Sequence, residues 1–320
     1  MSGGTTRLAA VDIGSNSTNL LIVEHGPGDP RVLHRIVTTT RLGTGLESTG
    51  RLSEDAVRRT LDTLASYAEL MRREDVRASR VVACNACRVA DNTAEFVDRV
   101  RATTGLVVDV LPALEEGRLA YIGARSGLRP DPMGDLMIDI GGGSTELVLG
   151  DSGPDGNTTV TVHSIDVGAV RLTDRHLNGP DGPIDPPRPE DLANAIGDVA
   201  DLVDDVLRRH PEIGGRRRVI GIAGTIDTVA AVEIGDERVD RHGFELTRAA
   251  VEDVFRTLAT EPLRDRVHNP GLPADRADVI VGGCCALVAV MRRLRIESLT
   301  VSTRNILDGI CAELSNPDLG

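Results

Sequence analysis

The chain of 320 residues carries a formal net charge of −13, and 40% of its residues are hydrophobic. This length accommodates two globular domains, whereas the acidic balance argues against a general nucleic-acid or membrane binder. All 36 cationic side chains are arginines, which excludes a Walker-type phosphate loop, because that loop requires a lysine, and leaves arginines, backbone amides and a metal ion to hold any phosphate.

The first predicted element is a strand–turn–strand unit over residues 8–23, in which an apolar run ends at Asp12 and a small polar turn follows. Glycine lets a turn present its amides to a ligand without an intervening Cβ, and a row of such amides is an anion site. The phosphate-binding residues predicted in this turn are Gly14, Ser15, Asn16 and Ser17.

The pattern then predicts alternating strands and helices up to residue 111. Ser53 is expected to cap a helix, with two acidic residues in its first turn. The predicted elements are a strand from Arg31 to Ile36, a helix with Val57, Leu61, Leu64, Ala68 and Met71 on one face, a strand from Arg80 to Cys84, a helix through Phe96 and Val100, and a strand from Leu106 to Leu111.

Glu115 and Glu116 begin the next predicted helix, which leads into the second half of the chain. Acidic residues are favourable in the first turn of any helix because of the helix dipole. From the residues alone, a solvated helix start therefore explains this pair as well as a catalytic role does.

A second strand–turn–strand unit, residues 136–150, repeats the first without a gap at a constant offset of 127 residues (139 against 12). A repeat of domain length suggests two copies of one fold. Asp139 and Glu146 bracket the turn, and carboxylates beside an anion site usually hold a divalent cation; Asp12 occupies the equivalent position in the first copy. A plain hairpin turn is the alternative interpretation. The predicted phosphate-binding residues here are Gly141, Gly142, Gly143 and Ser144.

The two copies differ at one informative position, since Asn19 stands where Glu146 stands in the second copy. We therefore expect the metal chemistry to depend mainly on the second copy.

The rest of the second half is again predicted as mixed α/β. Gly224 and Thr225 follow a strand and open a helix, so they form a third candidate anion site. The other predicted elements are a strand from Val160 to Val170, an exposed loop from Gly179 to Pro189, a helix from Glu190 to Arg209, an apolar helix from Ala277 to Leu294, a strand from Glu297 to Val301 and a helix from Asn305 to Leu314.

Taken together, six motifs resemble the exopolyphosphatase / guanosine pentaphosphate phosphohydrolase (Ppx/GppA) family in its short, two-domain form. The motifs cover residues 11–17, 115–119, 139–147, 167–173, 223–225 and 270–278. The resemblance implies an α/β fold of duplicated ribonuclease H-like domains, as in the actin, sugar kinase and heat-shock ATPase superfamily, with a cleft between them. It implies a first domain over 1–122 and a second over 123–302, and the C-terminal helix, about 303–320, could pack back on the first.

The resemblance also implies roles for matched positions. Glu116 matches the catalytic base that activates the attacking water, and Arg88 matches an arginine in a Thr-x-x-x-Arg segment, which here reads Asn85-Ala86-Cys87-Arg88. Asp139 and Glu146 match metal-associated carboxylates, so the implied cofactor is Mg²⁺ or another divalent cation. Gly141 matches a phosphate-loop glycine.

The resulting hypothesis is a Mg²⁺-dependent exopolyphosphatase that hydrolyses the terminal phosphate of inorganic polyphosphate. Guanosine pentaphosphate is an alternative substrate, because the chemistry is identical. An ATP-dependent kinase of the same superfamily and a non-catalytic polyphosphate or alarmone sensor are further alternatives. The family resemblance alone implies a homodimer.

Other features of the sequence predict a cytoplasmic protein. No apolar run reaches the roughly 20 residues of a membrane span, and the N-terminus lacks the apolar core of a signal peptide. Five cysteines, an odd number, fit a reducing compartment. Cys84 and Cys87 form a Cys-x-x-Cys without a suitable partner pair for zinc, so we expect buried thiols.

Overall fold

Both halves of the chain begin with the predicted strand–turn–strand unit and extend it into a mixed sheet. The structure, a computed structural model, describes residues 5–26, 30–129, 131, 134–152, 158–180, 182–215 and 217–315. The chain divides into two units: unit 1 comprises Met1–Ser126 and Asn305–Gly320, and unit 2 comprises Gly127–Arg304.

Unit 1 contains one five-stranded sheet with helices between its later strands. The side chains of Leu8 to Val11 are buried in the central strand, as is usual where both faces of a sheet are covered. Its strands are β1 (Thr6–Ile13), β2 (Ser17–His25), β3 (Arg31–Thr39), β4 (Ala78–Ala83) and β5 (Val108–Val110), and its helices before unit 2 are α1 (Leu46–Thr49), α2 (Glu54–Arg73), α3 (Asn85–Val89), α4 (Thr93–Thr104) and α5 (Ala113–Arg125). Ser53 accepts a hydrogen bond from the Ala56 amide, which confirms the predicted cap of α2.

Unit 2 contains a six-stranded sheet and a two-stranded hairpin. Its strands are β6 (Asp135–Ile140), β7 (Thr145–Ser152), β8 (Thr158–Ile165), β9 (Asn178–Gly179), β10 (Gly182–Pro183), β11 (Arg218–Ile222), β12 (Glu245–Thr247) and β13 (Ser298–Val301). Its helices are α6 (Ala169–Leu172), α7 (Pro189–Arg209), α8 (Ala223–Ile234), α9 (Arg248–Thr260), α10 (Leu263–Arg266) and α11 (Ile280–Arg293), with shorter π-helical or 3₁₀ segments at Thr173–Leu177, Pro211–Gly214 and Ala274–Arg276.

The two sheets share one topology. Unit 1 has the order β3-β2-β1-β4-β5, and unit 2 has the order β8-β7-β6-β11-β13, with β12 added at the edge beyond β13. In each sheet the first three strands are antiparallel and the later two run parallel to the first. The duplicated ribonuclease H-like α/β fold predicted from the sequence is confirmed.

Several predicted boundaries are wrong, each for a local reason. The strand expected over Val160–Val170 ends at Ile165, because the chain turns there and α6 begins at Ala169. The loop expected over Gly179–Pro189 contains the β9–β10 hairpin. The long apolar helix starts at Ile280 rather than Ala277, after a 3₁₀ turn. None of the described helices is long and apolar enough to cross a membrane.

Helix α12 (Ile306–Ser315) returns to unit 1 and packs against α5. The two helices approach closely at Gly123 and Gly309. A Cβ on Gly309 would overlap the Leu119 carbonyl, and one on Gly123 would overlap the Asn305 carbonyl. Arg118 of α5 also pairs with Glu313 of α12. Residues 316–320 of the predicted C-terminal helix lie outside the described residues.

We expect Gly309→Ala to destabilise unit 1, because the added methyl requires α12 to move away from the Leu119 carbonyl. Overpacking of this kind typically lowers the free energy of unfolding by about 1–3 kcal/mol. Gly197→Ala on α7 is the matched control, since a Cβ there meets no atom within 4 Å, and we expect a gain of about 0.5–1 kcal/mol from helix propensity. Chemical denaturation measures both, and equal stability of the two variants would contradict the close packing.

Candidate functional site

The first predicted phosphate turn is held by the loop that follows β3. Within the turn, the Gly14 amide donates to the Ser17 carbonyl at 2.9 Å. The Asn16 carbonyl accepts two amides from residues 40–43, at 2.8 and 3.0 Å, and the Ser15 carbonyl accepts one at 2.8 Å. The loop therefore fixes the direction of the peptide planes in this turn.

The second turn is held in the same way by the segment that follows β8. The Gly141 amide donates to the Ser144 carbonyl at 3.0 Å. The Gly141 carbonyl accepts the Ala169 amide, and the Gly142 carbonyl accepts the Val170 amide, both at 2.9 Å. The start of α6 thus binds the carbonyl side of the glycine turn.

This arrangement leaves the opposite side of each turn to the amides. In a planar trans peptide, a carbonyl and the next residue's N–H point in opposite directions. In the described part of the chain, the amides of Asn16, Gly142 and Gly143 donate no hydrogen bond to a protein acceptor. Such amides form anion sites, so the geometry fits the predicted phosphate turns.

Asp12, at the end of β1, has a partner for each carboxylate oxygen. Cys84 donates its S–H to Oδ1 at 3.3 Å, and the Asn19 amide nitrogen donates to Oδ2 at 3.1 Å. Burial, and after it the nearby Glu116 carboxylate, raise the pKa of Asp12 from 3.8 to about 6, although the hydrogen bonds from Cys84 and Asn19 act in the opposite direction. Neither Asn19 nor Cys84 was predicted to contact Asp12; the register of the first hairpin would have indicated Asn19.

Glu116 and Arg88, predicted from the family resemblance, form an ion pair within unit 1. Their side chains are only 18% and 19% exposed, so the pair is largely shielded from solvent. Arg88 also donates to the Leu111 carbonyl at 3.1 Å, and the first turn of α5 carries Glu116. Arg88 holds one Glu116 carboxylate oxygen in a fixed orientation.

The neighbouring Glu115 contacts two arginine side chains and does not share the Arg88 partner of Glu116. It accepts two hydrogen bonds from Arg118, at 2.8 and 2.9 Å, and lies 3.8 Å from Arg80. The hydrogen bond from Arg118 lowers the pKa of Glu115. The two glutamates at the start of α5 therefore face different partners, which their sequence did not distinguish.

Asp139 and Glu146 stand directly opposite each other in the β6–β7 hairpin. Opposed side chains of an antiparallel pair lie close together, and like charges there are unfavourable. Glu146 is only 4% exposed, and its Oε1 accepts a hydrogen bond from Ser164 at 3.0 Å. Carboxylate oxygens are the ligands that a hard divalent cation such as Mg²⁺ prefers. The donor set of Asp139 and Glu146 therefore fits the implied metal.

The third candidate anion site, at the start of α8, differs from the two hairpin turns. The Arg276 guanidinium lies against Gly224, where a Cβ would overlap it, and burial lowers the pKa of Arg276. The Thr225 side chain is buried beside Gly283 of α11. Arg276 therefore adds a cation to this helix start. In the sequence Arg276 stood out only within the motif of residues 270–278, and this contact was not predicted.

The cysteines form no disulfide or cysteine cluster in the described residues, and all five are free and buried. Burial raises the pKa of Cys87 to about 12 and that of Cys84 well above its ordinary value. The expectation of buried thiols for Cys84 and Cys87 is confirmed.

Comparison with known proteins identifies relatives over nearly the whole chain. A family model described as the Ppx/GppA phosphatase family matches residues 21–316. The curated protein named Exopolyphosphatase 2 of Mycobacterium tuberculosis is 34% identical over 326 aligned positions, which cover 97% of this chain and 99% of that protein.

Solved structures agree with this result. An exopolyphosphatase-like protein has a TM-score of 0.89 and 28% identity, with 99% of each chain covered. The Aquifex aeolicus member of the Ppx/GppA family has a TM-score of 0.80 and 29% identity, with 99% of this chain and 100% of that chain covered.

We expect Gly168→Ala to displace the second turn, because a Cβ there would lie 2.6 Å from the Gly141 carbonyl oxygen. The free energy of unfolding should fall by about 1–3 kcal/mol, and stabilisation by added pyrophosphate should weaken. Gly179→Ala is the control, since its Cβ would make only ordinary contacts of 3.5 Å or more. Thermal melting with and without pyrophosphate measures both effects; an undisturbed response in Gly168→Ala would contradict this packing.

We also expect a pH dependence from Asp12. Between pH 3.8 and about 6 the folded chain binds this proton more tightly than the unfolded chain, so stability falls as pH rises through this range and stays lower above it. Asp12→Asn removes that loss and should be more stable than the wild type above pH 6, by on the order of 1–3 kcal/mol. Denaturation at pH 4–8 in the presence of a chelator tests this, and a difference between the two proteins that does not change with pH would contradict it.

Proposed function

The chain belongs to the Ppx/GppA phosphatase family, and we propose that it is an exopolyphosphatase that hydrolyses the terminal phosphate of inorganic polyphosphate. Hydrolysis of a phosphoanhydride requires a positioned water, a base and neutralisation of charge on the transferred group. The described residues include a candidate for each of these requirements, and the name of the mycobacterial relative supports the same reaction.

The observation that carries the proposal is the environment of Glu116. Its carboxylate is mostly buried and paired with Arg88, which holds it in one orientation from which it can accept a proton. We propose that Glu116 removes a proton from the attacking water as the water oxygen bonds to the terminal phosphorus. The bond from phosphorus to the bridging oxygen then breaks, and the shortened polyphosphate leaves.

We propose that the two turns and the residues beside them stabilise the negative charge on the phosphoryl oxygens. The amides of Asn16, Gly142 and Gly143 are available to donate hydrogen bonds, and donors fixed before the reaction stabilise developing charge. Asp139 and Glu146 would hold a Mg²⁺ ion, which when bound would neutralise charge on the phosphate. Arg88 would orient Glu116 and supply further positive charge.

Asp12 contributes differently in this proposal. Because its pKa is about 6, it is poised to change protonation near neutral pH, beside Glu116. Asn19 and Cys84 already donate to its two oxygens. We propose that Asp12 mainly supports the orientation of the first turn and contributes less to metal binding than Asp139 and Glu146.

We expect Glu116→Gln to remove phosphate release while the fold is retained, because glutamine is isosteric but cannot accept the proton. The expected loss in kcat is about 10²–10⁴-fold, the usual contribution of a general base. The measurement is phosphate release from long-chain polyphosphate with Mg²⁺, alongside thermal melting.

Glu115→Gln is the matched control, since it alters the adjacent side chain, which pairs with Arg118. It should keep near wild-type kcat. Wild-type turnover in Glu116→Gln would exclude the proposed base, and equal losses in both variants would indicate a general disturbance of α5. The same preparations, assayed with guanosine pentaphosphate, compare kcat/KM for the alternative substrate.

A further inference from the structure

A group of metal-ligating side chains lies in unit 2, apart from the residues assigned above. His163 is in the edge strand β8, His210 follows the last residue of α7, and Glu212 is in the adjoining 3₁₀ turn. One ligand atom from each of the three residues lies within 4.8 Å of the others. Two imidazoles and a carboxylate from separate parts of the chain therefore converge on one point.

The imidazole rings of His163 and His210 pack against each other. Their centroids are 3.9 Å apart, with the planes tilted by 42°. In the described part of the chain, the buried Nε2 of His163 has no hydrogen-bond partner. Since buried polar atoms are normally paired, this nitrogen requires an explanation. His210 Nδ1 lies 3.3 Å from the Glu212 carboxylate.

Burial and neighbouring charges favour the neutral form of the His163 imidazole. Burial lowers the pKa of His163, His210 and Arg209 lower it further, and Glu212 acts in the opposite direction. A neutral imidazole has a free lone pair and is the form that binds metals. The two rings therefore place nitrogen atoms beside a carboxylate oxygen.

We propose that His163, His210 and Glu212 bind a divalent transition-metal ion of the Zn²⁺ class. Three protein ligands of this type leave one position of a tetrahedral ion open. Imidazole nitrogen favours zinc and its neighbours over magnesium, whereas Asp139 and Glu146 offer only the oxygen donors that magnesium prefers. The two donor sets should therefore select different ions.

The distances are compatible with this assignment. Zinc binds imidazole nitrogen at about 2.0–2.1 Å, so two of its ligand atoms lie no more than about 4 Å apart. The present separations of up to 4.8 Å require only a small inward movement, and the exposed Glu212 side chain already lies 3.3 Å from His210. Metal binding would join the edge strand β8 to the end of α7.

The test is calorimetric titration of the full, untagged chain with Zn²⁺ in excess Mg²⁺, so that carboxylate sites are occupied. We expect one Zn²⁺ per chain and a melting temperature that rises with zinc. Co²⁺ should give the visible absorption of a tetrahedral site. His163→Ala and His210→Ala should each weaken binding at least about tenfold, because even outer-shell changes at metal sites cost 10–100-fold.

Two further variants keep the test decisive. Glu212→Gln changes an exposed side chain, so it should weaken zinc binding without affecting folding. His176→Ala is the control, because His176 pairs with Asp198 at 2.7 Å without a second imidazole, and it should bind zinc like the wild type. Absence of zinc binding by the wild type would overturn the proposal. Unchanged affinity in His163→Ala, His210→Ala and Glu212→Gln, or an equal loss in His176→Ala, would overturn it as well.

Discussion

The arrangement of both candidate phosphate turns depends on hydrogen bonds to their carbonyl groups. In unit 2 the amides at the start of α6 bind the carbonyls of Gly141 and Gly142, and in unit 1 residues 40–43 bind those of Ser15 and Asn16. A peptide group fixed through its oxygen presents its N–H on the opposite side. Each candidate anion-binding surface is therefore oriented by a segment that binds the carbonyl side of the turn. Gly168 is the clearest case, because its lack of a side chain allows that segment to approach the turn.

The two duplicated hairpins differ in the polar residues that face each other across their strands. In unit 1 the Asn19 amide nitrogen donates to Asp12, so a hydrogen bond within the protein joins this pair. In unit 2 the same register places Glu146 opposite Asp139, so two acidic groups share one location. Such a pair is favourable when a cation lies between the carboxylates. The difference between Asn19 and Glu146 at equivalent positions thus gives a hydrogen-bonded pair in unit 1 and a candidate metal-binding pair in unit 2.

The sequence predicted the features that arise from local patterns. The apolar runs, the glycine turns and the offset of 127 residues predicted both hairpins, and the repeat predicted the shared topology. Features that depend on distant packing were not predicted. Glu115 pairs with Arg118 one turn further along α5, whereas Glu116 pairs with Arg88 of α3, which packing brings to the start of α5. His163 and His210 lie 47 positions apart in the chain (210 against 163), at no spacing that indicates a shared site.

The return of α12 to unit 1 has a consequence for the order in which the protein is made. Unit 1 combines residues from both ends of the chain, whereas unit 2 is continuous in sequence. During synthesis from the N-terminus, the ribosome therefore completes every strand and helix of unit 2 before it releases the helix that packs on α5. Until then α5, with Glu116 in its first turn, lacks the surface that covers Gly123. The start of α5 that carries Glu116 should therefore reach its final packing only after α12 has been synthesised.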